Sequence, residues 1–263
     1  MSVPGFENYT VYAPKTPPPS SLKMPIYLWG EGGCMDAGTP YMTYLTEIAS
    51  HGYLVIANGP YGYGPPSLQG GSLTLPGPDN ASPHRDHGVR QTPPDAMKMA
   101  LEWVDQGNAA KYGNIDKQAV VTGGSSCGGI ESYMASFNNP RVKLTTLSNF
   151  GLLNPLQWNM LKTIPGPVVI FDGGPLDIAY NQGQRDYNQM VQDNQAAVFA
   201  NLDSGHLGTF FAKNGAKFGV AAVALFEAFF RKDAKSITMW MEPESAGSLK
   251  NQNWNITMHN FKL

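Results

Sequence analysis

Four short apolar runs, Tyr53–Ala57, Ala119–Thr122, Pro167–Phe171 and Ala196–Ala200, recur along the chain with helix-length segments between them. Continuous apolar runs of this length belong to strands buried on both faces, as in a parallel sheet covered by helices. Further strands are expected at 7–13, 25–29 and 143–148. Helices are expected over 41–50, after Pro94 on the face Met97, Ala100, Leu101 and Val104, and near 127–137, 181–194 and 216–231. The alternation predicts an α/β fold: a mostly parallel central sheet with helices on both faces.

The chain has 263 residues, with no internal repeat and no linker, so a single domain over residues 1–263 is expected. Residues 58–94, rich in Gly, Pro and Ser, read as a long surface loop. Residues 232–263 read as a polar tail packed back through Trp240, Trp254 and Ile256.

Charged residues are only 14% of the chain and the net charge is −2, with no Lys/Arg stripe to neutralise a phosphate backbone. Nucleic acid is therefore not an expected partner. The longest apolar stretch, Phe218 to Phe230, is interrupted by Glu227 and is too short to span a bilayer. Three Asn-x-Ser/Thr sequons, at Asn8, Asn80 and Asn255, stand against roughly two expected by chance, which tilts the reading toward secretion over a cytoplasmic location. The two cysteines, Cys34 and Cys127, make no disulfide framework and lack the spacing of a metal site.

The strand at 119–122 runs into Gly123-Gly124-Ser125-Ser126-Cys127-Gly128-Gly129. Gly-x-Ser-x-Gly at a strand-to-helix turn is a nucleophile elbow. The serine backbone is strained there, the flanking glycines prevent collision with strand and helix, and the first helical amides point above the hydroxyl. The composition alone would produce this pattern in roughly one chain in five, so its context between strand and helix carries the argument. Ser126 has Gly124 and Gly128 at the flanking positions, whereas the competing Ser125 has Gly123 and Cys127.

A serine hydroxyl needs a base, and the base needs an orienting acid. Of five histidines, His206 lies just after the last predicted strand, where loops converge on the C-terminal edge of the sheet. His51 at a helix end and His259 in the tail read as structural, and His84 and His87 as loop residues. For the acid, Asp172 stands at the tip of strand 167–171. Asp177 follows the turn Gly173-Gly174-Pro175-Leu176, which can swing a carboxylate toward His206, and is preferred. The glycine turn Gly30–Gly33 after strand 25–29 is expected to supply an oxyanion amide, from Gly33 before Cys34, and the residue after the nucleophile, Cys127, the other. If the two loops meet over Ser126, Cys34 and Cys127 are neighbours, either as a disulfide clamp or as two buried thiols.

Together, Leu28-Trp29-Gly30-Glu31-Gly32-Gly33-Cys34, Ala49–Ala57 and the elbow make the chain similar to the dienelactone-hydrolase, chlorophyllase and cutinase-like branch of the α/β hydrolases, which includes polyester hydrolases. The likeness runs over nearly the whole chain, as far as Trp254. It implies an α/β-hydrolase fold, a Ser126-Asp177-His206 triad, no cofactor, and a small-molecule or polymeric carboxylic ester as substrate. Two departures stand out: dienelactone hydrolases use a cysteine nucleophile, and polyester hydrolases often carry an aromatic residue or His where Ser125 stands. The 51-residue span from Ser126 to Asp177 leaves no room for a large cap domain. A lactonase, thioesterase or lyase on the same triad, or a non-catalytic binding protein on the same fold, are the competing readings.

Overall fold

The computed structural model describes residues 1–62 and 92–263. Its strands are β1 (Tyr9–Tyr12), β2 (Lys23–Gly30), β3 (Leu54–Asn58), β4 (Asn114–Ser125), β5 (Val142–Ser148), β6 (Val168–Asp172), β7 (Ala197–Asn201) and β8 (Asn255–His259). The described strands form one sheet in the order β1-β3-β2-β4-β5-β6-β7-β8. From β3 to β7 the neighbours are parallel, while β1 on β3 and β8 on β7 are antiparallel edges. The fold is thus a mixed, mostly parallel sheet. The loop expected over 58–94, with His84 and His87, lies for the most part outside the described residues.

The helices are α1 (Met42–Ser50), α2 (Ala96–Asp105), α3 (Gly128–Ser136), α4 (Trp158–Leu161), α5 (Tyr180–Gln192), α6 (Ala216–Arg231) and α7 (Ala234–Met241). They cover both faces, because alternate residues of each strand point to opposite sides. Tyr27, Trp29, Val55 and Phe171 join Leu45, Phe226 and Trp240 of α1, α6 and α7 in one core. Ile26, Leu28 and Ile56 join Met97 and Leu101 of α2 in a second. Val168 and Ile170 join Tyr133 of α3 and Met190 of α5 in a third.

The polar tail expected at 232–263, read without elements of its own, is corrected. That stretch holds α7, with Asp233 accepting the Ser236 amide at 2.8 Å as its N-cap, and the edge strand β8. An edge strand needs burial on one side only, and Asn255-Ile256-Thr257-Met258-His259 alternates accordingly, so its polar residues hid it. The packing through Trp240 and Trp254 stands: both are buried.

Two features of the chain path position the site. β2 lies between β3 and β4, so the chain turns one way on leaving β2 and, after β4, the other way to β5. Such a switch opens a crevice above the C-terminal ends of the two strands. Residues 149–167, between β5 and β6, hold only a 3-10 turn (Pro155–Gln157) and the four residues of α4. No helix among the described residues is long and apolar enough to cross a membrane.

Candidate active site

Ser126 follows the last residue of β4 and precedes α3, with a left-handed φ of 51°. Two backbone hydrogen bonds hold that turn: the Ser126 amide donates to Ser148 O at 2.8 Å, and the Gly129 amide donates to Ser126 O at 2.8 Å. The flanking glycines are required by close approach. A Cβ on Gly124 would meet the Gly128 carbonyl, and one on Gly128 would meet the Gly30 carbonyl, both backbone atoms. The elbow can therefore press against the end of β2 only because these positions have no side chain. Ser125 is buried and accepts a hydrogen bond from Tyr41 OH at 2.9 Å, so it belongs to the scaffold under the turn.

His206 stands in the loop after β7, which is stitched to the loop after β6: the Leu202 amide donates to Asp172 O, and the Ser204 and Gly205 amides to Gly173 O. The imidazole bridges two side chains, with Nδ1 at 2.6 Å from Asp177 Oδ1 and Nε2 at 2.9 Å from Ser126 Oγ. Burial alone would push the Asp177 carboxyl up. Hydrogen bonds from His206, the Ala179 amide and Asn149, with the charge His206 can carry, hold it below the usual carboxylate range. A carboxylate only accepts, so Nδ1 carries the proton facing it, and Nε2 of the neutral ring is left to accept from the Ser126 hydroxyl. A hydroxyl in this position can pass its proton to the ring as it attacks an electrophile.

Asp172, the alternative acid, does not reach the histidine. Its Oδ1 accepts the Gly174 amide at 3.1 Å, and its Oδ2 is buried without a hydrogen-bond partner among the described residues. Burial, and then the neighbouring Asp177, push its carboxyl up to about 7. His51 faces Glu47 at 3.3 Å and His259 faces Asn194 at 3.3 Å, both away from Ser126.

Cys34 and Cys127 form a disulfide, with Cα atoms 5.1 Å apart, so the first glycine turn and the elbow are joined covalently across the crevice. Gly33 has a left-handed φ of 68° and Cys34 one of 49°. The Cys34 amide donates to Glu31 O at 3.1 Å, which removes it as a free donor and leaves Gly33 as the candidate from this turn.

Several participants had no signature in the sequence. Asn149, left-handed at φ 55°, donates from Nδ2 to Asp177 Oδ2 at 2.6 Å, while the Gly173 amide donates to the same oxygen at 3.2 Å and the Ala179 amide to Oδ1 at 2.8 Å. The one hint was its place at the C-terminal end of a predicted strand, in a residue type that tolerates a left-handed backbone. Thr92 is a second. Its amide donates to Cys34 O at 3.2 Å and its hydroxyl to the Glu131 carboxylate, which also accepts from Asn58 Nδ2 at 2.6 Å. Burial pushes the Glu131 carboxyl up to about 7 against the pull of those two donors. Glu31 is fully buried, and burial holds it well above the usual range against the pull of the neighbouring Trp29 indole.

Compared with known family models and with curated proteins, the chain matches none.

Proposed function

We propose that this protein is a serine hydrolase of the α/β-hydrolase fold, one domain over residues 1–263, that cleaves carboxylic esters through an acyl-enzyme. One observation carries the reading: His206 lies within hydrogen-bond distance of Ser126 Oγ through one ring nitrogen and of the buried Asp177 carboxylate through the other. Three residues on separate loops, 80 and 29 positions apart, converge in the arrangement that an activated serine requires. The chain order Ser126, Asp177, His206 and the strand-to-helix elbow support the fold assignment. The short connection over 149–167 supports a site without a large cap.

In the proposed reaction Ser126 Oγ attacks the ester carbonyl as its proton passes to His206 Nε2. Asp177 holds the tautomer and stabilises the imidazolium. The amides of Gly33 and Cys127 receive the oxyanion, with the disulfide holding the two donors at one spacing. His206 then protonates the leaving alcohol, and water, deprotonated by the same nitrogen, releases the acid and restores Ser126. No cofactor enters these steps. The disulfide also supports an oxidising compartment and hence secretion.

The test is hydrolysis of p-nitrophenyl acetate and butyrate by the wild-type chain and by Ser126→Ala. The expected result is a loss of about 10⁴-fold or more in kcat for the variant. Absence of Ser126-dependent turnover on every short ester would overturn the reading.

A further inference from the structure

The cleft beside Ser126 continues beyond the serine. It holds about 320 Å³ and is walled by Ile130, Phe150, Leu153 and Ile178 next to Ser126 and His206. A second hollow of about 130 Å³ shares Ile130, Phe150 and Leu153 and runs on past Tyr133, Met134 and Met160. Among the described residues, no Asp, Glu, Lys or Arg lines either space. Leu153, at the junction, is 73% exposed and Ile178 is 75% exposed. Large apolar side chains left in water around a candidate reacting group mark a surface that becomes covered when a ligand arrives.

Resting on the esterase reading above, we propose that this groove takes the acyl chain of the substrate, and that the chain is apolar and longer than butyryl. The leaving oxygen must come within reach of His206 Nε2 to collect its proton, which places the alcohol part at the His206 and Ile178 end. The second hollow departs from Ile130 and touches neither His206 nor Ile178, so it lies on the acyl side of the ester. Its walls are the side chains of Tyr133, Phe137 and Phe150, an apolar lining that suits an acyl chain continuing out of the cleft. Met134 and Met160 line its far part with flexible, polarisable surface that accommodates different chain ends.

The experiment is kcat/KM for p-nitrophenyl esters from acetate to octanoate, below their aggregation concentrations, beside a series of alkyl acetates in which only the alcohol lengthens. Each methylene half removed from water contributes about twofold, so octanoate is expected to exceed acetate by about 60-fold, with little change along the alcohol series. Met134→Glu, which sets a charge in the far groove, is expected to lower the octanoate-to-acetate ratio by about 10-fold or more. Met241→Glu, at the end of α7, leaves that ratio as it was. A flat acyl profile with intact Ser126-dependent acetate hydrolysis overturns the groove assignment and spares the esterase reading, as does a rise with alcohol length instead. An unchanged ratio in a folded Met134→Glu also overturns the groove assignment. Loss of all Ser126-dependent turnover in the wild type overturns both.

Discussion

Asn149 Nδ2 donates to Asp177 Oδ2 at 2.6 Å, on the carboxylate oxygen that His206 does not use. The aspartate is thus fixed from both sides, and its orientation toward the imidazole depends on a residue 28 positions away on the neighbouring strand end. A hydrogen bond to a charged group contributes about 1.5–3 kcal/mol. Asn149→Ala is expected to reduce kcat on p-nitrophenyl butyrate by about 10-fold to 100-fold. Asn149→Asp, which sets a second carboxylate against the first, should fall below it. Equal rates for wild type and both variants would show that Asp177 needs no second anchor.

The two carboxyls at the end of β6 are expected to separate cleanly. Asp177→Asn presents an amide to His206 Nδ1 and disfavours the tautomer that leaves Nε2 free, so kcat should drop by about 10⁴-fold. Asp172→Asn changes a group that hydrogen-bonds to neither Ser126 nor His206, and kcat should stay within about threefold. Comparable losses in the two variants would refute Asp177 as the orienting acid.

Stability should fall as pH rises from about 4 to 8. Asp172 and Glu131 are both pushed up to about 7, Asp186 to about 6 and Glu31 well above the usual range, all mainly by burial, so the folded chain keeps protons that the unfolded chain releases at its ordinary carboxylate range. Where the folded state binds more protons, raising the pH favours unfolding, by roughly 4 kcal/mol for a carboxyl raised to about 7 once pH exceeds that value. Asp177 acts in the opposite sense, since its lowered value makes its contribution disappear as pH falls into the acid range. Thermal unfolding is therefore expected to give a Tm at pH 5.5 at least about 5 °C above that at pH 8, and Asp172→Asn should flatten the slope. A Tm that climbs from pH 5.5 to 8 contradicts the assignment of buried protons.

The parallel strands could be read from the sequence because a strand buried on both faces must be apolar at every position, as Leu54–Ala57 and Val168–Phe171 are. Ser126 and the preference for Asp177 and His206 were legible for a different reason: glycine turns mark where strands end, and the fold brings strand ends together. Asn149, Thr92, Glu131 and Tyr41 carry no such mark. Each acts through contacts across gaps of at least 28 residues, Tyr41 to Ser125 across 84, and a gap of that size has no periodicity to detect. The edge strand β8 was missed because only half of its residues are needed inside.

Two ties hold the Gly33–Cys34 turn to the elbow, and their effects should be coupled. One is the Cys34–Cys127 disulfide, which closes 93 residues of chain, and the other runs from Cys34 O through Thr92 to Glu131 on α3. A disulfide closing a loop of about 100 residues contributes as much as 4.7 kcal/mol in the chain-entropy view and commonly 2–4 in practice. With Thr92 still in place, replacing both cysteines by alanine should reduce kcat only a few-fold while lowering stability by that amount. Thr92→Val keeps the amide but removes the hydroxyl on Glu131, and alone it too should leave most of the rate. Combined, the changes free the turn that carries the Gly33 amide, and kcat should fall by more than the product of the separate effects while KM for butyrate moves little, because the oxyanion forms only in the transition state. A full double-mutant cycle of kcat measures this coupling. Strictly multiplicative losses would mean that the disulfide and Thr92 hold different parts of the structure and that neither sets the oxyanion donors.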